Sequence, residues 1–348
     1  MRAACRFFLF TAIAGTVLYA ESTPRETLLV LSKRDHTLAI VDPSNLKVVA
    51  RVPVGNDPHE VIASSDGKLA YVSNYGSGAY NTLAVVDLVG QKALPAIDLG
   101  PLRGPHGLVF VAGKTWFTAE GAKAIGSYDP AKKKVDWILG TGQNRTHMIF
   151  VSQDLKHIFT TNVSSGTVSI IEKSSRTGPV PGPPPGPGPG PGGPQPRGVP
   201  GGDWDETVVP VGRGGEGFDV SPDGKEIWVA NAQDGTVSII DIAAKKVTGT
   251  LPPNFKRANR LKFTPDGKLV LISASGLAVL DAATHKEIKR LDTSSGGAGI
   301  QMDPDGSRAY AACNHEGYVA VIDLKTLQIT GRINAGQQPD GLAWAIRQ

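Results

Sequence analysis

One phrase recurs seven times along this chain, and its fullest copy, residues 221–241, reads Ser-Pro-Asp-Gly-Lys-Glu-Ile-Trp-Val-Ala-Asn-Ala-Gln-Asp-Gly-Thr-Val-Ser-Ile-Ile-Asp. An acidic residue closes each copy: Asp42, Asp87, Asp129, Glu172, Asp241, Asp281 and Asp323. The intervals are about 40 to 45 residues, except the fourth, which carries an insertion. A fixed period of that size belongs to chains built from stacked supersecondary units, none of which can bury its apolar face alone.

Each unit divides into four short apolar runs separated by turn chemistry. In the fifth copy these are residues 217–221, 226–230, 236–241 and 245–251. Asp-Gly falls between alternating runs at Asp66, Asp223, Asp266 and Asp305, a strong hairpin signal because glycine takes positive φ without steric cost. Asn74, Asn162 and Asn231 open the second turn, where an Asx side chain is expected to bond the backbone ahead and to tolerate the left-handed region. The acids that close the copies are expected to receive backbone N–H groups in the turn between third and fourth strands. Four antiparallel strands per unit and seven units predict an all-β, seven-bladed β-propeller. The chain begins at residues 27–32 with a second-strand pattern. It ends at residues 338–344 with a segment that matches the first-strand segment 104–110. The C-terminal strand is therefore expected to complete the N-terminal blade, which closes the ring and removes an open edge.

The pattern Tyr/Trp-Val-x-Asn followed by Gly-Thr-Val-x-Ile/Val-Ile/Val-Asp resembles the YVTN-type β-propeller repeat. Its best copies are Tyr71-Val72-Ser73-Asn74 and Trp228-Val229-Ala230-Asn231. Other copies drift: Trp116-Phe117-Thr118-Ala119 loses the asparagine, and Tyr310-Ala311-Ala312-Cys313 places a cysteine there. The resemblance spans essentially all of the chain after residue 20. It implies an exported or surface-layer-associated prokaryotic propeller, and says little about activity, since such propellers bind, carry cofactors or have no assigned role.

Residues 1–20 read as a secretory signal: Arg2 and Arg6 precede the apolar run 7–18, and Ala20 supplies a small residue at the cleavage point. The propeller then occupies residues 21–348, with a periplasmic or cell-surface location and no transmembrane span after cleavage. Removing the two arginines takes the formal charge from +4 to +2, too small for bulk attraction to nucleic acid. Cys5 leaves with the signal, so Cys313 stands alone and no internal disulfide forms. No Cys-x-x-Cys-His is present, which argues against covalent c-type haem. Between about residues 177 and 203 proline and glycine alternate without the triplet period of collagen. This composition predicts an exposed, largely disordered loop in blade 4, open to a cell-envelope partner or simply a tolerated expansion.

In a propeller, the segments leading into the first strands and the turns between second and third strands share the face around the central channel. Aligning the seven first-strand segments gives one equivalent position per blade: His59, His106, His147, Glu216, Asn259, Ala298 and Asp340. Three histidines in consecutive blades are a candidate site for one transition metal, copper or zinc, because neutral imidazole ligates both. They are equally open to a metal-free ligand role or to bonding their own loops. Arg103, Arg145, Arg213 and Arg257, with Asn144 and Lys256, precede these positions, and Arg260 follows one. They predict a basic rim suited to a small anion, or else solvated loop charges. His315 and Glu316 fall on the same face. No His-Glu-x-x-His, Gly-x-Ser-x-Gly or phosphate-binding loop occurs. Three functions therefore stand: an exported binding module for a small anion or metal, a metal-dependent redox enzyme or lactonase-like hydrolase, and a structural or adhesive surface protein.

Overall fold

A computed structural model describes residues 22–174, 204–293 and 298–348. Residues 1–20, read as the signal, and the proline–glycine segment lie outside the described residues. The fold is the expected seven-bladed propeller: seven sheets of four antiparallel strands each. Blade 1 is assembled from both ends of the chain, its order being Pro339–Ile346, Glu26–Ser32, Thr37–Asp42 and Lys47–Pro53. Leu28 pairs with Trp344 and Val30 with Leu342, so the C-terminal strand closes the ring as the repeat pattern predicts. Blades 2 to 7 follow in chain order. In blade 4, Lys173 pairs with Trp204, so the two ends of the proline–glycine segment meet on adjacent strands.

Burial explains why the third run of each repeat is continuously apolar. The strands Thr82–Asp87, Thr236–Asp241 and Tyr318–Asp323 are buried through their middles, because a blade interior is covered on both faces by its neighbours. The fourth strands alternate instead; Lys246–Leu251 shows every second residue to solvent. The core lies between sheets. Leu29, Leu31 and Ile40 of blade 1 pack with Val61, Val72 and Val86 of blade 2, and Leu28 and Val30 meet Tyr310 and Val319 of blade 7. Each such fully buried aliphatic side chain contributes about 1.5–3 kcal/mol.

The closing acids accept backbone N–H bonds in the turn that follows, as the sequence predicts. Asp42 receives Ser44, Asp129 receives Ala131 and Lys132, Asp241 receives Ala244, and Asp323 receives Thr326. Glu172 differs, pairing with Lys245 of the next blade at 2.5 Å. The turn asparagines correct an expectation. None has positive φ. Asn74 reaches back to the carbonyls of Val54 and Asn56, and Asn162 bonds Thr167 and Ser169, so they tie strands and blades together.

The turn acids carry a pH consequence. Hydrogen bonds, backbone or side-chain, hold Asp42, Asp66, Asp129, Asp281 and Asp323 below the usual aspartate range, and Asp266 falls to about 2 through its bonds from Thr264 and Lys268. A depressed folded value stabilises above the unfolded pKa of about 3.9 and is lost as pH falls through the folded one. Thermal melts should therefore hold steady from pH 7 to about 5 and drop progressively between about pH 4 and 2. A melting temperature unchanged down to pH 2 would contradict this role.

Candidate functional site

The chain aims the seven equivalent side chains at the axis with a repeated backbone device. Two residues before the position, φ is positive in six blades: Asp57, Gly104, Arg145, Gly214, Arg257 and Gln338. A non-glycine residue held there costs about 1–2 kcal/mol. Immediately after it, the first strand slips register against the second in blades 1 to 5, so the position and its successor sit in a bulge. Such bulges redirect side chains. The N–H freed by the slip is captured by a Ser or Thr of the second strand. Glu60 donates to Ser73 Oγ, Gly107 to Thr118 Oγ1 and Met148 to Thr161 Oγ1, and Arg260 donates likewise to Ser273 Oγ. A glycine after the position lets blades close tightly: a Cβ on Gly107 would stand 2.6 Å from the carbonyl oxygen of His147.

All seven aligned residues line one cavity of about 240 Å³, together with Lys33, Tyr75, Arg145, Arg260 and Asn314. Lys33, Tyr75, Glu120 and Asn314 were not singled out by sequence. Each directly follows a second strand, so aligning that turn as well would have found them. The arginine rim forms only in part. Arg145 lines the cavity, whereas Arg103 and Arg257 are exposed elsewhere and Arg213 pairs with Asp234 with its side chain 78% exposed. His315 and Glu316 are exposed outside it as well. The cations that do reach the cavity are already matched. Lys33 pairs with Asp340, Arg145 with Glu120, and Arg260 with Glu60. Counting Asp57 and Glu216, five carboxylates stand against three side-chain cations, so the mouth is not the basic surface expected. The Arg260–Glu60 bridge, 2.5 Å long, joins blade 6 to blade 2 across the axis.

The hydrogen bonds assign the imidazole protons. Lys33 Nζ, which can only donate, lies 3.4 Å from His59 Nδ1, so that nitrogen accepts. His59 Nε2 then donates to Asp57 at 3.0 Å. His106 Nε2, 3.0 Å from His59 Nδ1, must also donate. The lone pair of His106 is thereby left on Nδ1, which is buried without a hydrogen-bond partner. His106 is 2% exposed; burial and the neighbouring His147 and His59 hold its pKa well below the usual value, so the ring is neutral. His147, whose ring centroid is 3.8 Å from that of His106, behaves oppositely. Burial alone would lower its pKa, but hydrogen bonds to Glu120 and Glu216 raise it. Its Nδ1–H donates to Glu120, and Tyr75 donates to the other Glu120 oxygen at 2.5 Å. His147 Nε2 is paired with Glu216 Oε2 at 2.8 Å. Despite burial, His147 draws Glu216 down to about 2, so this carboxylate is ionised. Burial and the Glu120 bond push the Tyr75 phenol up to about 12.

A buried nitrogen lacking a partner, as His106 Nδ1 does, is costly in a folded protein. One donor atom each from His106, Glu120 and His147 lies within 4.8 Å of the others, and all three residues are buried. Two imidazoles and a carboxylate form a donor set that suits zinc or copper and leaves a coordination position open. His59 is engaged differently: both of its ring nitrogens already have partners, so it fixes the tautomer of His106 from outside, a common device at metal centres. Cys313, at the drifted asparagine position, is buried with its thiol pushed up by that burial.

No family model and no curated protein matches this chain. Solved structures do match in shape. A functionally unknown protein from Desulfotomaculum acetoxidans aligns with a TM-score of 0.71 at 12% identity, covering 92% of this chain and 99% of that one. The hydrazine synthase of Kuenenia stuttgartiensis gives 0.68 at 19% identity, covering 91% and 100%. A Bacteroides uniformis protein, provisionally described as a 6-phosphogluconolactonase, gives 0.67 at 14% identity, covering 92% and 100%. Likeness at these identities extends to the propeller fold alone.

Proposed function

We propose that this chain is an exported propeller of the YVTN-type repeat whose work is to hold a single transition metal ion, zinc or copper, at the mouth of its channel. The ligands are His106, His147 and Glu120, with Glu216 beside them. The observation that carries the proposal is the buried cluster of His106, Glu120 and His147, one donor atom of each within 4.8 Å of the others, with His106 Nδ1 left without a hydrogen-bond partner. A periplasmic or cell-surface location follows from residues 1–20 as a signal. No helix among the described residues is long and apolar enough to cross a membrane.

Purified protein dialysed against zinc or copper should retain one equivalent per chain by elemental analysis. A ligand that binds only the folded state at a hundred times its dissociation constant adds about 2.7 kcal/mol of stability. The melting temperature should therefore rise on metal addition and return on chelation. No retained metal and no shift would overturn the proposal.

A second reading is favoured by the open coordination position facing about 240 Å³ of cavity, as in catalytic rather than structural zinc sites. A metal-bound water there would serve a hydrolase, in line with the 6-phosphogluconolactonase description of one structural relative. Lactone hydrolysis dependent on added metal would favour this reading.

A further inference from the structure

We infer that the metal is bound together with a small carboxylate anion, which docks on the guanidinium of Arg145. The inference rests on the metal reading above. Arg145 is the most loosely matched cation of the cavity. Its Nε makes a single long hydrogen bond, 3.4 Å, to Glu120, and its Nη1 comes no closer than 3.9 Å to Glu216. By contrast, Arg260 is held by Glu60 at 2.5 Å and Asn259 at 2.9 Å, and Lys33 by Asp340 at 3.2 Å. Arg145 is also held in the left-handed region, φ 55°, with its side chain 41% exposed at the cavity.

Metal uptake sharpens this imbalance. Once Glu120 ligates a divalent ion, this partner of Arg145 shares its charge with the metal. The terminal nitrogens of the guanidinium then have Glu216 no closer than 3.9 Å and are open to a stronger acceptor. A planar carboxylate matches them with two parallel bonds. The ring supplies room in one direction, since Ala298 is the single aligned residue without a polar side chain. At about 240 Å³ the cavity lies below the range of about 300–1,000 Å³ that holds drug-sized ligands, which restricts the anion to a few heavy atoms. Acetate and lactate are of that size. Because metal and anion each favour the arrangement the other needs, their affinities are coupled, and coupling is reciprocal.

Calorimetric titration of the full chain tests this, with zinc uptake measured on the same samples. Lactate and inorganic phosphate are titrated into zinc-loaded and metal-free protein. Lactate should bind the zinc-loaded form at least about tenfold more tightly than the metal-free form, a coupling within the usual range. Arg145→Gln should lose lactate binding, and Arg145→Lys, which keeps the charge but not the fork, should weaken it about tenfold. Zinc uptake with no lactate binding, or with equal lactate binding by wild type and Arg145→Gln, overturns the inference and leaves the metal reading intact. Phosphate binding in preference to lactate overturns the carboxylate assignment. Absence of zinc uptake overturns the metal reading itself.

Discussion

Replacing His106 and His147 together by alanine is expected to lower zinc affinity by at least about 10³-fold, measured by competition with a chromophoric chelator. Loss of an outer partner of a metal ligand alone costs about 10–100-fold, so loss of two direct ligands must exceed that. His59→Ala is the internal comparison. His59 touches His106 but keeps both of its own nitrogens occupied, so its removal should cost about 10–100-fold and no more. Removing His147 also strips Glu120 and Glu216 of their shared partner. His147→Gln, which still offers a donor to Glu120, guards against a loss that merely reports unfolding. If all of these variants bind zinc like wild type, the cluster is scaffold.

Arg260→Met is expected to destabilise the fold by about 3 kcal/mol in chemical denaturation, towards the low end for breaking a buried ion pair. The low end applies because the side chains of Arg260 and Glu60 keep 11% and 14% exposure. The loss arises mainly from leaving the half-buried Glu60 side chain without its partner. Pairing Arg260→Met with Glu60→Leu should recover most of it, since an apolar pair of similar volume replaces a buried pair at little cost. A double variant as unstable as the single one would mean that the guanidinium works through Asn259 and not through Glu60.

The architecture was legible because repetition supplies its own alignment. The Asp-Gly turns, the closing acids and the stray first strand at residues 338–344 each follow from local chemistry, and local chemistry is what a repeat preserves. The same alignment brought His59, His106 and His147 to one level of the channel. It could not say which imidazole nitrogens would be free, because that depends on Lys33, which belongs to another turn, and on which nitrogen Asp57 engages. Glu120 was missed for a related reason: it stands on the turn between second and third strands, at a position shared with Lys33, Tyr75 and Asn314. The basic rim failed through a different cause. Arg145 and Arg257 occupy equivalent backbone positions with φ of 55° and 61°. Only Arg145 has carboxylates within reach, Glu120 and Glu216, and they draw it to the mouth. Side-chain direction there is set by partners some tens of residues away, never by the spacing itself.

X-ray absorption at the zinc edge of the metal-loaded protein tests the central claim most directly. Two imidazole nitrogens at about 2.0–2.1 Å, with multiple-scattering features of the rings, and carboxylate oxygen at about 2.0–2.2 Å are the predicted shell. A shell of oxygen alone, unchanged in the His106→Ala/His147→Ala variant, would contradict it.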